Sequence, residues 1–141
     1  MKKIIASLLI ICISIAFTAC SQSTTDKAEI ISIFQQNEDT FIQATKDGDF
    51  SEVESISGVQ EVYKNEEYID IQFGGYGFGS STGYYGIFYS ANNNICAVDV
   101  AGPENELSEH GNGYKYQEND GDNKYYVEPL GNHFFYYEAS F

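Results

Sequence analysis

The chain has 141 residues, of which 43% are hydrophobic, and its 21 acidic residues against seven lysines and no arginine give a formal net charge of −14. A chain of this length is expected to form one domain. Because so acidic a protein, without a cluster of lysines in the body of the chain, cannot neutralise several phosphates at once, the composition argues against a nucleic-acid partner.

The first 19 residues have the pattern of an export signal. Lys2 and Lys3 supply a positive start, and residues 4–17 form an uncharged stretch rich in Ile, Leu and Ala, which is typical of the hydrophobic part of a signal peptide. The stretch is shorter than the roughly 20 apolar residues that a spanning helix needs. We therefore predict a signal peptide over residues 1–19 and an extracytoplasmic location for the rest.

The end of this stretch, FTAC at residues 17–20, resembles the lipobox of bacterial lipoproteins. The resemblance implies that the Cys20 thiol receives a diacylglycerol group and that the chain is cut just before it, so that covalent lipid at Cys20 holds the protein on the membrane. Residues 20–26 are then a lipidated tether, and residues 27–141 a single domain. Two alternatives are ordinary secretion after cleavage behind Ala19 and, if Phe17 spoils the cleavage site, an uncleaved anchor.

The cysteines agree with this location. With Cys12 removed and Cys20 lipidated, Cys96 is the single free thiol and the domain forms no internal disulfide. Cys96 alternates with Val98 and Val100, which predicts a strand in which the cysteine is a small buried side chain. A nucleophilic thiol would need a base and an electropositive setting, which the neighbouring sequence does not supply.

A helix is predicted from Asp26 to Gly48. Asp26 and Glu29 form a start that resembles a capping box, and Gly48 is a typical helix end. Between them, one apolar stripe recurs at spacings of three and four residues: Ile30, Phe34, Asn37, Phe41 and Ala44. Residues 50–56 predict a further short helical turn.

From residue 59 onward the apolar residues recur every second position, which is typical of strands. Strands are predicted over residues 59–63, 68–73, 84–90, 95–100, 114–117, 124–128 and 133–139. The short connections favour antiparallel neighbours, since parallel strands need long crossovers. The sequence thus predicts an α+β fold, in which the N-terminal helix packs on one face of an antiparallel β-meander of about five to seven strands.

The aromatic content is high, with 12 Tyr and 10 Phe but no Trp. Most of these side chains are expected to pack inside the domain. However, Tyr68 and Tyr126 alternate with Asp70 and Glu128 along their strands, on faces that the pattern predicts to be exposed.

Two further aromatics, Tyr76 and Phe78, lie in the glycine-rich segment 74–79, which is predicted to be a loop. Exposed aromatic side chains on loops are typical of recognition surfaces. Tyr76, Phe78 and Tyr84 are therefore the candidate ligand-binding residues. The plainer interpretation is that the loop folds back over the sheet and that these rings belong to the core.

Some short segments resemble motifs for catalysis or metal binding, but the residues around them do not fit these functions. Residues 79–83, GSSTG, match the nucleophile elbow of hydrolases, but a strand rather than a helix follows them. An EF-hand loop that starts at Asp120 would put Tyr125 where a glycine is required, so a hairpin turn is predicted there. His110 and His133 stand singly. The sequence predicts no catalytic residue, no metal site and no cofactor.

Residues 80–90, 121–128 and 134–138 also resemble a small family of uncharacterised bacterial proteins, and the resemblance implies a shared fold without an assigned activity. We expect a lipid-anchored module that binds a peptide, a protein or a cell-envelope polymer. Two alternatives remain open: a hydrolase or other enzyme of the envelope, and an inhibitor or immunity-like protein with a basic partner.

Overall fold

A computed structural model describes residues 24–78 and 81–141. Three helices come first, α1 (Lys27–Gln36), α2 (Glu38–Asp47) and α3 (Ser51–Glu54). Seven strands follow: β1 (Glu61–Lys64), β2 (Ile69–Phe78), β3 (Ser81–Tyr89), β4 (Ser108–His110), β5 (Gly113–Gln117), β6 (Lys124–Gly131) and β7 (Phe134–Ser140). The α+β class is confirmed. The signal peptide and Cys20 lie outside the described residues, and none of the helices described is long and apolar enough to cross a membrane.

The predicted N-terminal helix is in fact two helices that meet at Asn37. Half of the predicted capping box forms, since the Asp26 carboxylate accepts a hydrogen bond of 2.9 Å from the Glu29 backbone N–H. The other half does not, because the Asp26 N–H donates to the Thr24 hydroxyl at 3.3 Å and the Glu29 carboxylate accepts from that hydroxyl at 2.8 Å. Asn37 leaves the helical conformation, with φ −122° and ψ 16°, and its side chain donates to the Ile33 carbonyl at 2.8 Å. Local bonds of this kind compete with helix continuation. Gly48 ends α2 in the left-handed conformation, with φ 72°.

The strands form one antiparallel sheet in the order β1-β2-β3-β7-β6-β5-β4. It therefore consists of two meanders that are joined where β3 pairs with β7. Between β3 and β4 the chain crosses to the far edge of the sheet through residues 91–107, which we call the cover segment. A single uninterrupted meander would not need this crossing.

The cover segment corrects the prediction of a strand over residues 95–100, because these residues form turns. The Asn94 side chain accepts a hydrogen bond of 2.9 Å from the Cys96 N–H, and the Asn94 carbonyl accepts one of 3.2 Å from the Ala97 N–H. Such local bonds use the groups that a strand would present to a neighbour. Cys96 is half-buried, and Val98 is buried against the sheet.

The sheet is buried on both faces. On one face, Phe34 of α1 lies 5.2 Å from both Phe41 of α2 and Phe134 of β7, measured between ring centroids. On the other face, Phe88 and Phe135 stack at 5.0 Å beneath the cover segment. The helices and the cover segment thus enclose a core on each side of the sheet.

The cover segment and the helices together explain why four exposure predictions are wrong. Tyr68 and Asp70 are buried because the cover segment lies over their face, and their exposed fractions are 5% and 6%. Glu128 is buried on the helix side, where it pairs with Lys27 at the start of α1. Tyr126 is half-buried beside them.

Candidate functional site

The helices cover only part of their face of the sheet, and the rest forms a groove of about 600 Å³. Residues from β2 to β7, among them His110 of β4, line it together with the start of α1. We call it the tyrosine groove and define it by six side chains: Tyr76, Tyr85, Lys115, Lys124, Tyr126 and Glu138.

Tyr76 faces this groove because of a β-bulge. Gln72 pairs with Gly86 and Gly74 pairs with Tyr85, so that Phe73 is an extra residue in β2. A bulge shifts the alternation of side chains by one position. As a result, Phe73 points into the helix-side core and Tyr76 points to the same face of the sheet. The segment predicted as a loop is therefore a strand as far as residue 78, and its tip at residues 79 and 80 lies outside the described residues.

The Tyr76 ring lies across the glycine that pairs with it. A Cβ atom at Gly83 would overlap the Tyr76 ring, so only glycine allows the ring this position. The neighbouring Tyr85 ring has its centroid 6.1 Å away, at 44° to the first ring. Because 52% of Tyr76 is exposed, the pair presents an aromatic surface to solvent at one side of the groove.

Two lysines face these rings from the other side of the groove. The strand register places Tyr85, Glu138, Tyr126 and Lys115 in one row across β3, β7, β6 and β5. Lys124, which pairs with Ser140, lies two residues further along the strands on the same face. Neither Lys115 nor Lys124 has an ion-pair partner among residues 24–78 and 81–141, although all 21 acidic residues lie within those ranges.

Lys27 closes one end of the groove through a hydrogen-bonded network. Its ammonium pairs with the Glu128 carboxylate and donates to the Tyr126 hydroxyl at 2.9 Å. That hydroxyl in turn donates to Glu128 at 2.6 Å. The ammonium also lies 4.4 Å from the centre of the Tyr126 ring, a cation–π distance. The network fixes both the Tyr126 ring and the start of α1 on the sheet.

The network perturbs both of its charged groups. Partial burial acts to lower the pKa of Lys27, but the hydrogen bonds to Glu128 and Tyr126 outweigh it and leave that pKa raised. Burial likewise acts to raise the pKa of Glu128, and the same hydrogen bonds bring it below its ordinary value. Both groups are therefore held in their charged forms.

A buried hydroxyl lies under the groove. Tyr136 is fully buried, and its hydroxyl has no hydrogen-bond partner among the described residues. Burial raises the pKa of Tyr136, and the Glu138 carboxylate raises it further, although the two groups are not in hydrogen-bonding geometry. A buried donor without a partner is costly.

The structure separates the residues that the sequence nominated as a recognition site. Tyr76 lies in the groove. Tyr84, which pairs with Gly75 and Ala139, packs against the core on the opposite face. The backbone of Phe78 ends β2, and its side chain lies outside the described residues.

Four of the six side chains that define the groove were not predicted to be functional: Tyr85, Lys115, Lys124 and Glu138. The turn predicted at Asp120 carried a usable signal, since a hairpin centred there places Lys115 opposite Tyr126, as observed. No comparable signal exists for Glu138, which reaches Tyr85 only because β7 inserts between β3 and β6.

A second polar cluster lies on the other face, around Asp70. Its carboxylate accepts hydrogen bonds of 2.9 Å each from the Tyr137 hydroxyl and the Gln72 amide. Burial raises the pKa of Asp70 to about 6, against the lowering effect of those two bonds, and the charges of Glu61 and Asp99 raise it further. The cluster is enclosed by the cover segment, so we treat it as part of the packed interior and not as a candidate binding site.

The Cys96 thiol and the metal-ligating side chains are the remaining groups that could carry chemistry. Burial, and then the charge of Glu104, raise the pKa of the Cys96 thiol, which opposes formation of the nucleophilic thiolate. Within the part of the chain that the structure describes, no group of three or more His, Cys, Asp or Glu side chains is arranged to hold a metal ion.

Comparisons with protein-family models, with curated proteins and with solved structures each found no match. The geometry of the groove is therefore the basis for a proposed function, and the two sequence resemblances stay predictions.

Proposed function

We propose that the protein is a lipid-anchored, extracytoplasmic binding module whose ligand occupies the tyrosine groove. One observation carries the proposal: the exposed Tyr76 and the half-buried Tyr85 face two lysines, which have no ion-pair partner among the described residues, across an open part of the sheet. Aromatic side chains and unpaired charges in a concave surface are the usual material of binding sites.

The composition of the groove is unusual for this chain. Three of the five lysines among the described residues line it, Lys27, Lys115 and Lys124, while Glu138 is the single carboxylate in its lining. Elsewhere the domain is strongly acidic. Folding has thus brought positive charge to one place, where it attracts a negatively charged or polar ligand.

The lipid anchor would hold this groove near the membrane. Thr24 is buried, and its backbone N–H donates to the Phe73 carbonyl at 3.1 Å, so the fold begins four residues after Cys20. An extended tether of four residues reaches about 14 Å. Lys27 both begins α1 and lines the groove, so a lipid at Cys20 would place the groove close to the bilayer surface.

Substitution of Tyr76 tests the proposal, with Tyr63 as its matched control. Both are tyrosines on strands, with 52% and 48% of the residue exposed, but Tyr63 lies on edge strand β1, outside the groove. Truncation of an aromatic that is central to binding costs at least about 2 kcal/mol, or roughly thirtyfold in affinity.

The full chain carrying Tyr76→Ser is expected to lose capture of envelope components, and the chain carrying Tyr63→Ser to retain it, with both variants folded by circular dichroism. Equal capture by the two variants would move recognition away from the groove. Turnover of the captured molecule that is abolished by Glu138→Gln would instead support the enzyme alternative.

A further inference from the structure

We infer that the ligand of the tyrosine groove is an anionic glycan, a chain of sugar rings that carries carboxylate or phosphate groups. This inference rests on the proposed function and specifies its ligand.

The two unpaired lysines of the groove favour a negatively charged ligand. Lys115 and Lys124 keep their ammonium groups free of carboxylate partners among the residues described, in a domain that holds 21 acidic side chains. Lys27, by contrast, is neutralised by Glu128. Complementary charge selects partners and speeds their encounter, so the two unpaired lysines favour a ligand with negative groups along one side.

The aromatic surface of the groove favours a ligand with sugar rings. The Tyr76 ring occupies the space beside Gly83 that a Cβ atom would fill, and Tyr85 extends the surface at a centroid distance of 6.1 Å. Tyrosine offers an apolar ring for packing together with a polar hydroxyl, which matches a sugar ring with apolar C–H faces and a rim of hydroxyl groups. Nucleic acid would also stack on such rings, but its binding depends on several phosphate contacts, and two lysines without carboxylate partners among the described residues supply few of them.

The hydrogen-bonding pattern of the sheet disfavours a peptide. The strands β3, β7 and β6 beneath the groove are each paired on both sides. Their backbone groups are therefore used within the sheet, and an extended peptide cannot add to them as a further strand. What the groove offers instead are side-chain groups, among them the Glu138 carboxylate, which can accept hydrogen bonds from sugar hydroxyls.

Matched glycan probes separate charge from shape. Calorimetry with the full chain would compare oligogalacturonate with its methyl-esterified form, which keeps the rings and removes the charge. A phosphorylated mannan oligosaccharide and its dephosphorylated form make the same comparison for phosphate, so the two pairs distinguish the sources of charge. Poly-glutamate and vesicles that contain an anionic lipid test an acidic peptide and a membrane surface.

At least one acidic glycan is expected to bind at least about tenfold more tightly than its neutral form, and more weakly as salt increases. Lys115→Gln and Lys124→Gln should each weaken that binding up to about fivefold, and Tyr76→Ser about thirtyfold. Lys46→Gln, at the end of α2 and outside the groove, removes the same charge and should leave affinity unchanged.

The outcomes distinguish this inference from the function on which it rests. Equal binding of charged and neutral glycans, no binding of any glycan, or tighter binding of poly-glutamate or anionic vesicles would overturn the glycan assignment and leave the groove as a site. Glycan binding that Tyr76→Ser and the two lysine variants leave intact would overturn both.

Discussion

Replacing Asp70 by Asn should stabilise the protein above about pH 6 and much less at about pH 4. Asp70 is buried on the face under the cover segment, and burial raises its pKa from 3.8 to about 6. The native state therefore holds a proton that the unfolded state has already lost between these two pH values. Stability is lost as pH rises through this range, because folding must then take up a proton, and above about pH 6 the buried carboxyl of the native state is itself ionised.

The size of the effect follows from the shift. A rise of about two pKa units corresponds to about 3 kcal/mol, at 1.36 kcal/mol per unit. Asn keeps an oxygen that accepts from the Tyr137 hydroxyl, and Gln72 can turn its amide to meet the new N–H group. The variant consequently loses the charge without leaving a polar group of the cluster without a hydrogen bond.

Urea unfolding followed by circular dichroism at about pH 4 and about pH 7 measures this difference. The free energy of unfolding of Asp70→Asn relative to the wild type should increase by up to about 3 kcal/mol between the two conditions. Asp120→Asn, in an exposed turn, removes the same charge and should show little change in this difference. If the difference in free energy of unfolding between Asp70→Asn and the wild type does not increase from about pH 4 to about pH 7, Asp70 is not a buried carboxyl with a raised pKa.

Four other substitutions test separate parts of the account. Phe34→Ala and Phe41→Ala should each lower the free energy of unfolding by about 3 to 5 kcal/mol, since both rings are fully buried against β7; an unchanged unfolding curve would show that the helices do not pack as described. Tyr137→Phe removes the buried donor to Asp70 and should cost about 1.5 to 3 kcal/mol at about pH 7, with a smaller cost at about pH 4, and equal costs at both would contradict the bond to a carboxylate. Cys20→Ala should move the protein from the membrane fraction to the uncleaved precursor or the medium, because the acyl chains supply the insertion energy; unchanged partitioning and mass on fractionation and mass spectrometry would remove the lipid anchor from the account.

Local signals predicted the helical part of the fold well. The cap at Asp26 and the glycine end at position 48 depend on neighbouring residues alone, and both are confirmed. The apolar stripe is also confirmed, since Ile30, Phe34 and Phe41 are buried. The break at Asn37 was not predicted, because the stripe continues across it without a change of period.

Burial of the sheet depended on information that alternation does not contain. A period of two shows which side chains share a face, but not what covers that face. Tyr68 and Asp70 were predicted to be exposed because the cover segment, which buries them, comes from more than 20 residues further along the chain.

The groove was the least predictable part. Tyr76 was nominated for a correct reason, its exposure, but in the wrong setting, since it lies on a strand whose bulge decides its direction. Tyr85 and Lys115 are separated by two further strands of the sheet, and they line one groove only because β7 pairs with β3. No local pattern specifies that pairing.

Photo-crosslinking from inside the groove tests most directly whether the ligand binds there. The full chain would carry p-benzoylphenylalanine in place of Tyr76, or in place of the equally exposed Tyr63, in cells that export the protein. Irradiation should produce a crosslinked species from position 76 and little from position 63, and the species should decrease when Lys115 and Lys124 are both replaced by Gln. Crosslinking from position 63 with none from position 76, or equal crosslinking from both that is insensitive to the lysines, would contradict the assignment of the tyrosine groove as the binding site.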